Sequence, residues 1–183
     1  PAEWKEAAAW LLKQRDSGVV RQYYDQGYVD DLKAGNLSAT LAWSGDVLYY
    51  NLWAGYDNLD FIFPEGGALH WNDNMLIPAH ANDPVGAMEL MDFYYRPEVA
   101  VKVTEWVLYF SPVPATKDLI LKDAAKALEQ NYKGYANKLQ ATADSPYLYP
   151  DQALLDRTSY GRDLTTDAER AEWDSIFLPI SQG

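Results

Sequence analysis

Short extended runs alternate with helical patterns through the first half of this chain, and a helical second half follows. No other feature constrains the fold as much, because strands that alternate with helices specify an α/β layer architecture. Leu37 to Trp43 alternates as a strand and enters the corner Ser44-Gly45-Asp46; Asp46 to Ala54 then has helical spacing, ended by Gly55. Val19 to Tyr24 and Asn58 to Phe63 read as further strands, the second stopped by the turn Pro64-Glu65-Gly66-Gly67, and Ala68 to Pro78 reads as extended. Helices are expected at Glu3 to Arg15, at Val29 to Ala34, at Val85 to Tyr94 behind the cap Asp83 and Pro84, and at Glu98 to Leu108. Asp118 to about Gln140 is the longest helical stretch, with an interruption expected at Gly134. A loop over Asp144 to Pro150 precedes two more helices, Asp151 to Ser159 and Asp167 to Phe177; Thr166 and Glu169 form a capping-box pattern for the last. No internal repeat or low-complexity segment is present.

A chain of 183 residues makes one domain or a little more, long enough to bury a core without staples. With 48% hydrophobic and 14% aromatic residues it is no disordered acidic chain, despite a net charge of −12. That charge argues against nucleic acid, whose phosphates need clustered Lys and Arg. No apolar run approaches the roughly 20 residues of a membrane span. No secretory signal is read at the start, where Pro1-Ala2-Glu3-Trp4 opens directly into a helical pattern. The absence of cysteine excludes disulfides, cysteine zinc sites and thiol catalysis.

The charge is unevenly placed. Residues 34–95 contain no Lys or Arg but eight acids, so this third of the chain holds two thirds of the net charge. The same stretch contains Trp43, Trp53 and Trp71. Carboxylates beside aromatic rings, without competing bases, suit an organic cation. The plainer account is a solvated acidic surface above an aromatic core, and composition leaves both open.

Two short motifs sharpen the choice. In Trp71-Asn72-Asp73, an extended backbone points residues i and i+2 to one face, so the ring and the carboxylate emerge together. The alternative is a core Trp beside a turn Asp. Trp43-Ser44-Gly45-Asp46 is a strand-to-helix corner, where open α/β sheets bind ligands, and Gly45 permits a tight turn. There the alternative is that Ser44 or Asp46 merely caps the helix. Tyr109-Phe110-Ser111-Pro112 closes a helix and can offer a phenol to a cleft, or simply pack. The only histidines, His70 and His80, fit no local metal motif, and there is no phosphate loop and no G-x-S-x-G. A carbohydrate-binding or carbohydrate-active protein, with Trp platforms and the pair Asp46 and Asp73, is the competing class.

At these residues the chain resembles a known family. The run Asp30-Asp31-Leu32-Lys33-Ala34-Gly35-Asn36-Leu37-Ser38-Ala39-Thr40-Leu41-Ala42-Trp43-Ser44-Gly45-Asp46 is similar to the spermidine/putrescine-binding proteins of bacterial ABC importers. Pro64-Glu65-Gly66-Gly67, Trp71-Asn72-Asp73 and Ile77-Pro78-Ala79 continue the likeness in order. So do Gly86-Ala87-Met88, Arg96-Pro97-Glu98-Val99-Ala100, Tyr109-Phe110-Ser111-Pro112 and Leu148-Tyr149-Pro150-Asp151.

The resemblance implies a type II periplasmic-binding-protein fold, α/β, of two lobes that close on a polyamine. It places residues 1–73 in the second lobe and residues 74–108 in a crossover whose helices pack on the first lobe. Residues 109–183 then return to the second lobe and its C-terminal helices. Most of the first lobe is expected to precede Pro1; a domain-swapped pairing is the other account of its absence. The ligand set implied is Trp43, Asp46, Trp71, Asp73 and Tyr109, with rings on the methylene chain and carboxylates on the amines. The resemblance further implies no catalysis, no metal and no cofactor. The implied partners are a polyamine and a membrane permease of the ABC class, with no nucleic acid. The place is the periplasm or the cell surface, with lipoprotein-like anchoring as one form of the latter. Two departures stand out. Lys122 to Ser145 is longer than the family pattern, and no Gln occupies the late ligand position near Tyr160 to Arg162.

Overall fold

The computed structural model describes residues 2–182; Pro1, where the helical opening was read to begin, lies outside them. The chain divides into two compact units, residues 1–40 with 161–183, and residues 41–160.

The first unit is helical. α1 (Ala2–Asp16) packs against α9 (Asp167–Gln182), and α2 (Tyr28–Lys33) is a single short helix. Trp4 meets Trp173 edge to face at 5.1 Å, the geometry that sets a positive ring edge against a negative face. Arg15 donates to the carbonyls of Pro179 at 3.0 Å and Ile180 at 3.3 Å, serving the carbonyl end of α9 where a cation is favoured. The expected capping pattern forms: the Glu169 N–H donates to Thr166 Oγ1 at 3.1 Å. The Glu169 carboxylate accepts from the Thr165 N–H at 2.9 Å and also pairs with Arg162. Val19 to Tyr24 forms no strand. Tyr24 instead donates to the Asp31 carboxylate at 2.5 Å, and Asn36 donates to the same group at 2.9 Å.

The second unit carries α3 (Ser44–Leu52), β1 (Ala68–His70), α4 (Pro84–Tyr95), α5 (Pro97–Val107), α6 (Thr116–Glu129), α7 (Lys133–Asp144), α8 (Gln152–Leu155) and β2 (Thr158–Tyr160). Its core lies where α6 packs on α5 and α7. Ile120 and Ala124 on α6 meet Val101 of α5 and Leu139 and Ala143 of α7, with Trp53 and Tyr149 packed at the edge. These positions recur at helical spacing, so each helix turns one apolar stripe inward. The buried hydroxyls of Thr104 and Thr142 donate to carbonyls four residues back, both at 2.9 Å, which removes the penalty of a buried polar group.

Four expectations are corrected here. Leu37 to Trp43 and Asn58 to Phe63 are not strands; among the described residues the sheet is only β1 paired in parallel with β2, His70 opposite Tyr160. A strand exists through its ladder, and neither run belongs to the ladder of the described sheet; Leu41, in the first of them, is 93% exposed. The long helix breaks at Asn131 rather than at Gly134, which lies inside α7. Asn131 adopts φ 64°, its N–H donates to Leu128 O and the Tyr132 N–H to Ala127 O, a Schellman closure with Asn in the usual glycine place. The expected helix over Asp151 to Ser159 stops at Leu155, and Thr158–Tyr160 is the strand β2. The cap at Asp83 does form, accepting from the Gly86 N–H at 2.9 Å.

The turn at Pro64-Glu65-Gly66-Gly67 is tied to the small sheet. Gly67 has φ 93°, a conformation glycine adopts without strain, and its N–H donates to Pro64 O. Arg157, just before β2, donates to Pro64 O at 2.6 Å and stacks over the Phe63 ring at 4.9 Å. The turn and β1 thereby hold the start of the segment that carries Trp71.

Candidate functional site

α3 begins at Ser44 with Trp43 as its N-cap, and Trp43 is extended, with ψ 133°. Neither Ser44 nor Asp46 occupies the capping position; Asp46 lies in the first turn, where the helix dipole favours a carboxylate. Asp46 also makes a longer-range contact. Its Oδ1 accepts a hydrogen bond from the Tyr109 hydroxyl at 3.2 Å, across 63 residues of chain.

Tyr109 arrives there because α5 ends abruptly. Leu108 is fully buried in the left-handed conformation, φ 56° and ψ 34°, with its N–H bonded to Thr104 O at 2.9 Å. That conformation costs a branched residue roughly 1–2 kcal/mol and persists only because the core holds the Leu108 side chain. The chain turns out of the helix at this residue and sets Tyr109 against α3.

The contact with α3 depends on Gly45. Gly45 is buried within the helix rather than in a tight turn, and its φ is not positive. A Cβ added there would lie 2.5 Å from the Tyr109 ring. The missing side chain is thus the space in which the phenol lies.

From Tyr109 the rings continue outward. Trp71 meets Tyr109 edge to face at 5.9 Å, and Trp43 lies 4.3 Å from Trp71 with planes tilted by 57°. Trp43 is 45% exposed and Trp71 48% exposed. Four of the five residues singled out, Trp43, Asp46, Trp71 and Tyr109, therefore form one continuous group: a carboxylate at its inner end and two half-exposed indoles at its outer end. Asp73 is not joined to it by any such contact. β1 ends at His70, before Trp71, so no ladder imposes the alternation expected to set Asp73 beside the Trp71 ring. Asp73 is exposed.

The group presents half-exposed rings to solvent. Aromatic faces there can strip water from an alkyl chain, and the carboxylate can accept from an ammonium. It lies wholly within the stretch lacking Lys and Arg, apart from Tyr109, so the covalently neighbouring residues bring no competing cation. Among the described residues no cluster of three or more His, Asp or Glu side chains could hold a metal ion. No helix of the described residues is long and apolar enough to cross a membrane.

The roles of Leu108 and Gly45 are not visible in the sequence. Gly45 was noticed as a turn residue; its packing role depends on a side chain 64 residues away. Leu108 carries no local signal, since leucine is among the residues least expected in that conformation.

The family model for bacterial extracellular solute-binding proteins matches residues 1–133. The spermidine/putrescine-binding periplasmic protein of Escherichia coli (strain K12) is 32% identical over 91 residues, covering 50% of this chain and 26% of that protein. The putrescine-binding periplasmic protein PotF of the same organism is 27% identical over 114 residues, 60% of this chain and 30% of that one. The putrescine-binding periplasmic protein SpuD of Pseudomonas aeruginosa (strain UCBPP-PA14) is 24% identical over 183 residues, 96% of this chain and 44% of that one. The chain thus spans between a quarter and a half of the length of these relatives. No solved structure matches it at comparable significance.

Proposed function

The chain belongs to the bacterial extracellular solute-binding proteins, and from that premise we propose that it supplies part of a polyamine-capturing component of an ABC importer. The observation that carries this reading is the continuous group from the Asp46 carboxylate through Tyr109 and Trp71 to Trp43. Its chemistry complements an alkyl chain with an ammonium end. Indoles cover the methylenes, and Asp46 accepts from the amine while Tyr109 orients the carboxylate. Asp73, exposed on the segment after β1, serves as a second carboxylate for the other amine. Capture of this kind forms and breaks no covalent bond, and the bound solute passes to a membrane permease. The place of action is outside the cytoplasm.

The lobe assignment belongs to the same proposal. Residues 1–73 and 109–183 are assigned to the second lobe, and residues 74–108 to a segment that docks on the first. The character of α4 supports this: none of its residues is buried, and Val85, Met88, Leu90, Phe93 and Tyr95 are all exposed. An apolar helix of that kind is stable when a further surface covers it.

Calorimetric titration of the full-length protein with putrescine, spermidine and an oligosaccharide panel tests the reading. Saturable heat with a polyamine, lost in Asp46→Asn, is the expected result. Heat with the oligosaccharides and none with either polyamine overturns it in favour of a carbohydrate-binding protein.

A further inference from the structure

β1 and β2 are three residues each, and a two-stranded pairing of that length is marginal in water. Side chains therefore decide whether it holds. The parallel register puts Ala68 opposite Thr158 and His70 opposite Tyr160, with all four side chains on one face. The His70 imidazole engages both residues of β2. Its Nδ1 is 2.6 Å from Thr158 Oγ1, and its ring meets the Tyr160 ring at 3.8 Å with planes 62° apart. The next residue along the chain is Trp71, whose indole belongs to the aromatic group.

The partners of Thr158 fix which nitrogen of His70 carries the proton. The Thr158 hydroxyl donates to the Leu155 carbonyl at 2.8 Å. A hydroxyl has one hydrogen, and a carbonyl oxygen can only accept. With that hydrogen on Leu155, Thr158 Oγ1 accepts from His70, so in the neutral imidazole Nδ1 is protonated and Nε2 is not. The opposite assignment would set lone pairs of two oxygens against each other at 2.8 Å. Two bonds thus run in one direction, from His70 Nδ1–H to Thr158 and from the Thr158 hydroxyl to Leu155 at the end of α8. They tie the last residue of β1 to the helix that precedes β2. At the other end of β1, the Ala68 N–H donates to Arg157 O at 3.2 Å. β1 is held at both ends, and Trp71 departs from the end that His70 fixes.

We infer that His70 and Thr158 are positioning residues for Trp71. The bonds from His70 through Thr158 to Leu155, with the imidazole in its Nδ1–H form, set the direction in which the indole leaves β1. They thereby set its place between Trp43, at 4.3 Å, and Tyr109, at 5.9 Å. In this role neither side chain touches a ligand; both act through Trp71. The consequence for affinity rests on the polyamine reading above, whereas the consequences for the imidazole and the indole do not.

Two ¹H–¹⁵N spectra of the full chain read the structural half. At about pH 8, where imidazoles are neutral, His70 should show a proton on Nδ1 and none on Nε2, and Thr158→Val should abolish that preference. His80→Gln tells its signals from those of the other histidine. The Trp71 indole N–H, assigned among the seven tryptophans by Trp71→Phe, should shift in Thr158→Val and return in Thr158→Ser, which keeps the hydroxyl. Calorimetry on the full-length protein reads affinity. Thr158→Val and His70→Phe should each weaken putrescine binding about twofold to tenfold, the range of one lost hydrogen bond. The double variant should lose no more than either alone, because both changes remove the same bond. Should Thr158→Val not fold, His70→Phe, which keeps a ring for Tyr160, carries the indole and affinity comparisons. A parent that binds no polyamine overturns the polyamine reading, and the Trp71 signal then decides the positioning role by itself. An Nε2–H imidazole in the parent, a Trp71 signal that Thr158→Val leaves in place, or losses that add in the double variant overturn the inference. So does a Thr158→Ser variant that behaves like Thr158→Val.

Discussion

Gly45 and Tyr109 share one volume: the phenol ring lies where any side chain at position 45 would begin, 2.5 Å from the position of its Cβ. This contact joins the first turn of α3 to the end of α5, and so brings the Asp46 carboxylate and the Tyr109 hydroxyl within 3.2 Å. Everything further out, Trp71 against Tyr109 and Trp43 against Trp71, packs onto that pair.

Gly45→Ala therefore has the opposite sign from the general rule. In a helix interior the change ordinarily stabilises by about 0.5–1 kcal/mol. Here it should destabilise by roughly 1–3 kcal/mol through overpacking against the Tyr109 ring. Denaturant unfolding of the two proteins gives the difference. Tyr109→Phe, which keeps the ring and drops the hydroxyl, should cost only about 0.5–1.5 kcal/mol.

Ligand affinity should follow the rings and the carboxylate separately. Trp43→Ala should weaken putrescine binding by the full-length protein from about twofold to thirtyfold, the span of one cation–π contact. Asp46→Asn keeps an oxygen for the Tyr109 hydroxyl but removes the charge, so it should cost about tenfold to a hundredfold in affinity with little change in unfolding midpoint. Asp73→Asn should likewise reduce affinity more than stability; the reverse would make Asp73 a structural residue. Paired calorimetry and thermal melts separate the two quantities.

Leu139→Ala tests the core of the second unit. Leu139 is fully buried between Val101, Ile120 and Ala124, so truncation should cost about 2–5 kcal/mol. A smaller loss would mean that α7 moves in to fill the space, and urea unfolding measures it.

Acid should loosen the first unit. The Tyr24 hydroxyl, followed by Asn36, holds the Asp31 carboxyl below its ordinary value, and the Thr165 N–H does the same for Glu169, with Arg162 adding to it. Folding thus makes both groups more acidic. The stability they contribute is complete above the ordinary carboxylate range near pH 4 and disappears as pH falls through their lowered values. Melting midpoints between pH 2 and 6 should fall less steeply in Asp31→Asn and in Glu169→Gln than in the parent. Parallel curves would remove both groups from the acid transition.

Local chemistry was legible where the signal and its effect lie within a turn of each other. Asp83 with Pro84, and Thr166 with Glu169, announce helix starts because side chain and backbone partner are three residues apart. The apolar stripes of α6 and α7 are visible for the same reason. The break at Asn131 was misplaced to Gly134 because glycine is the commoner left-handed residue, while the bonds from Asn131 and Tyr132 back into α6 decide the matter. The strands at Leu37 to Trp43 and Asn58 to Phe63 failed on a different ground, since alternation describes a half-buried ribbon but cannot supply the neighbouring ribbon it must pair with.

The amino-acid sequence by itself determined where acid and aromatic residues concentrate without base, which helices form, and the ordered motifs that carry the family likeness. Those are properties of composition and of neighbours along the chain. Only the tertiary structure decided that Trp43, Asp46, Trp71 and Tyr109 meet while Asp73 stands apart. These relationships run between residues up to 63 positions apart. They depend on a left-handed Leu108 that the core holds in place and on a space left by Gly45, and neither has a signature that neighbouring residues can reveal.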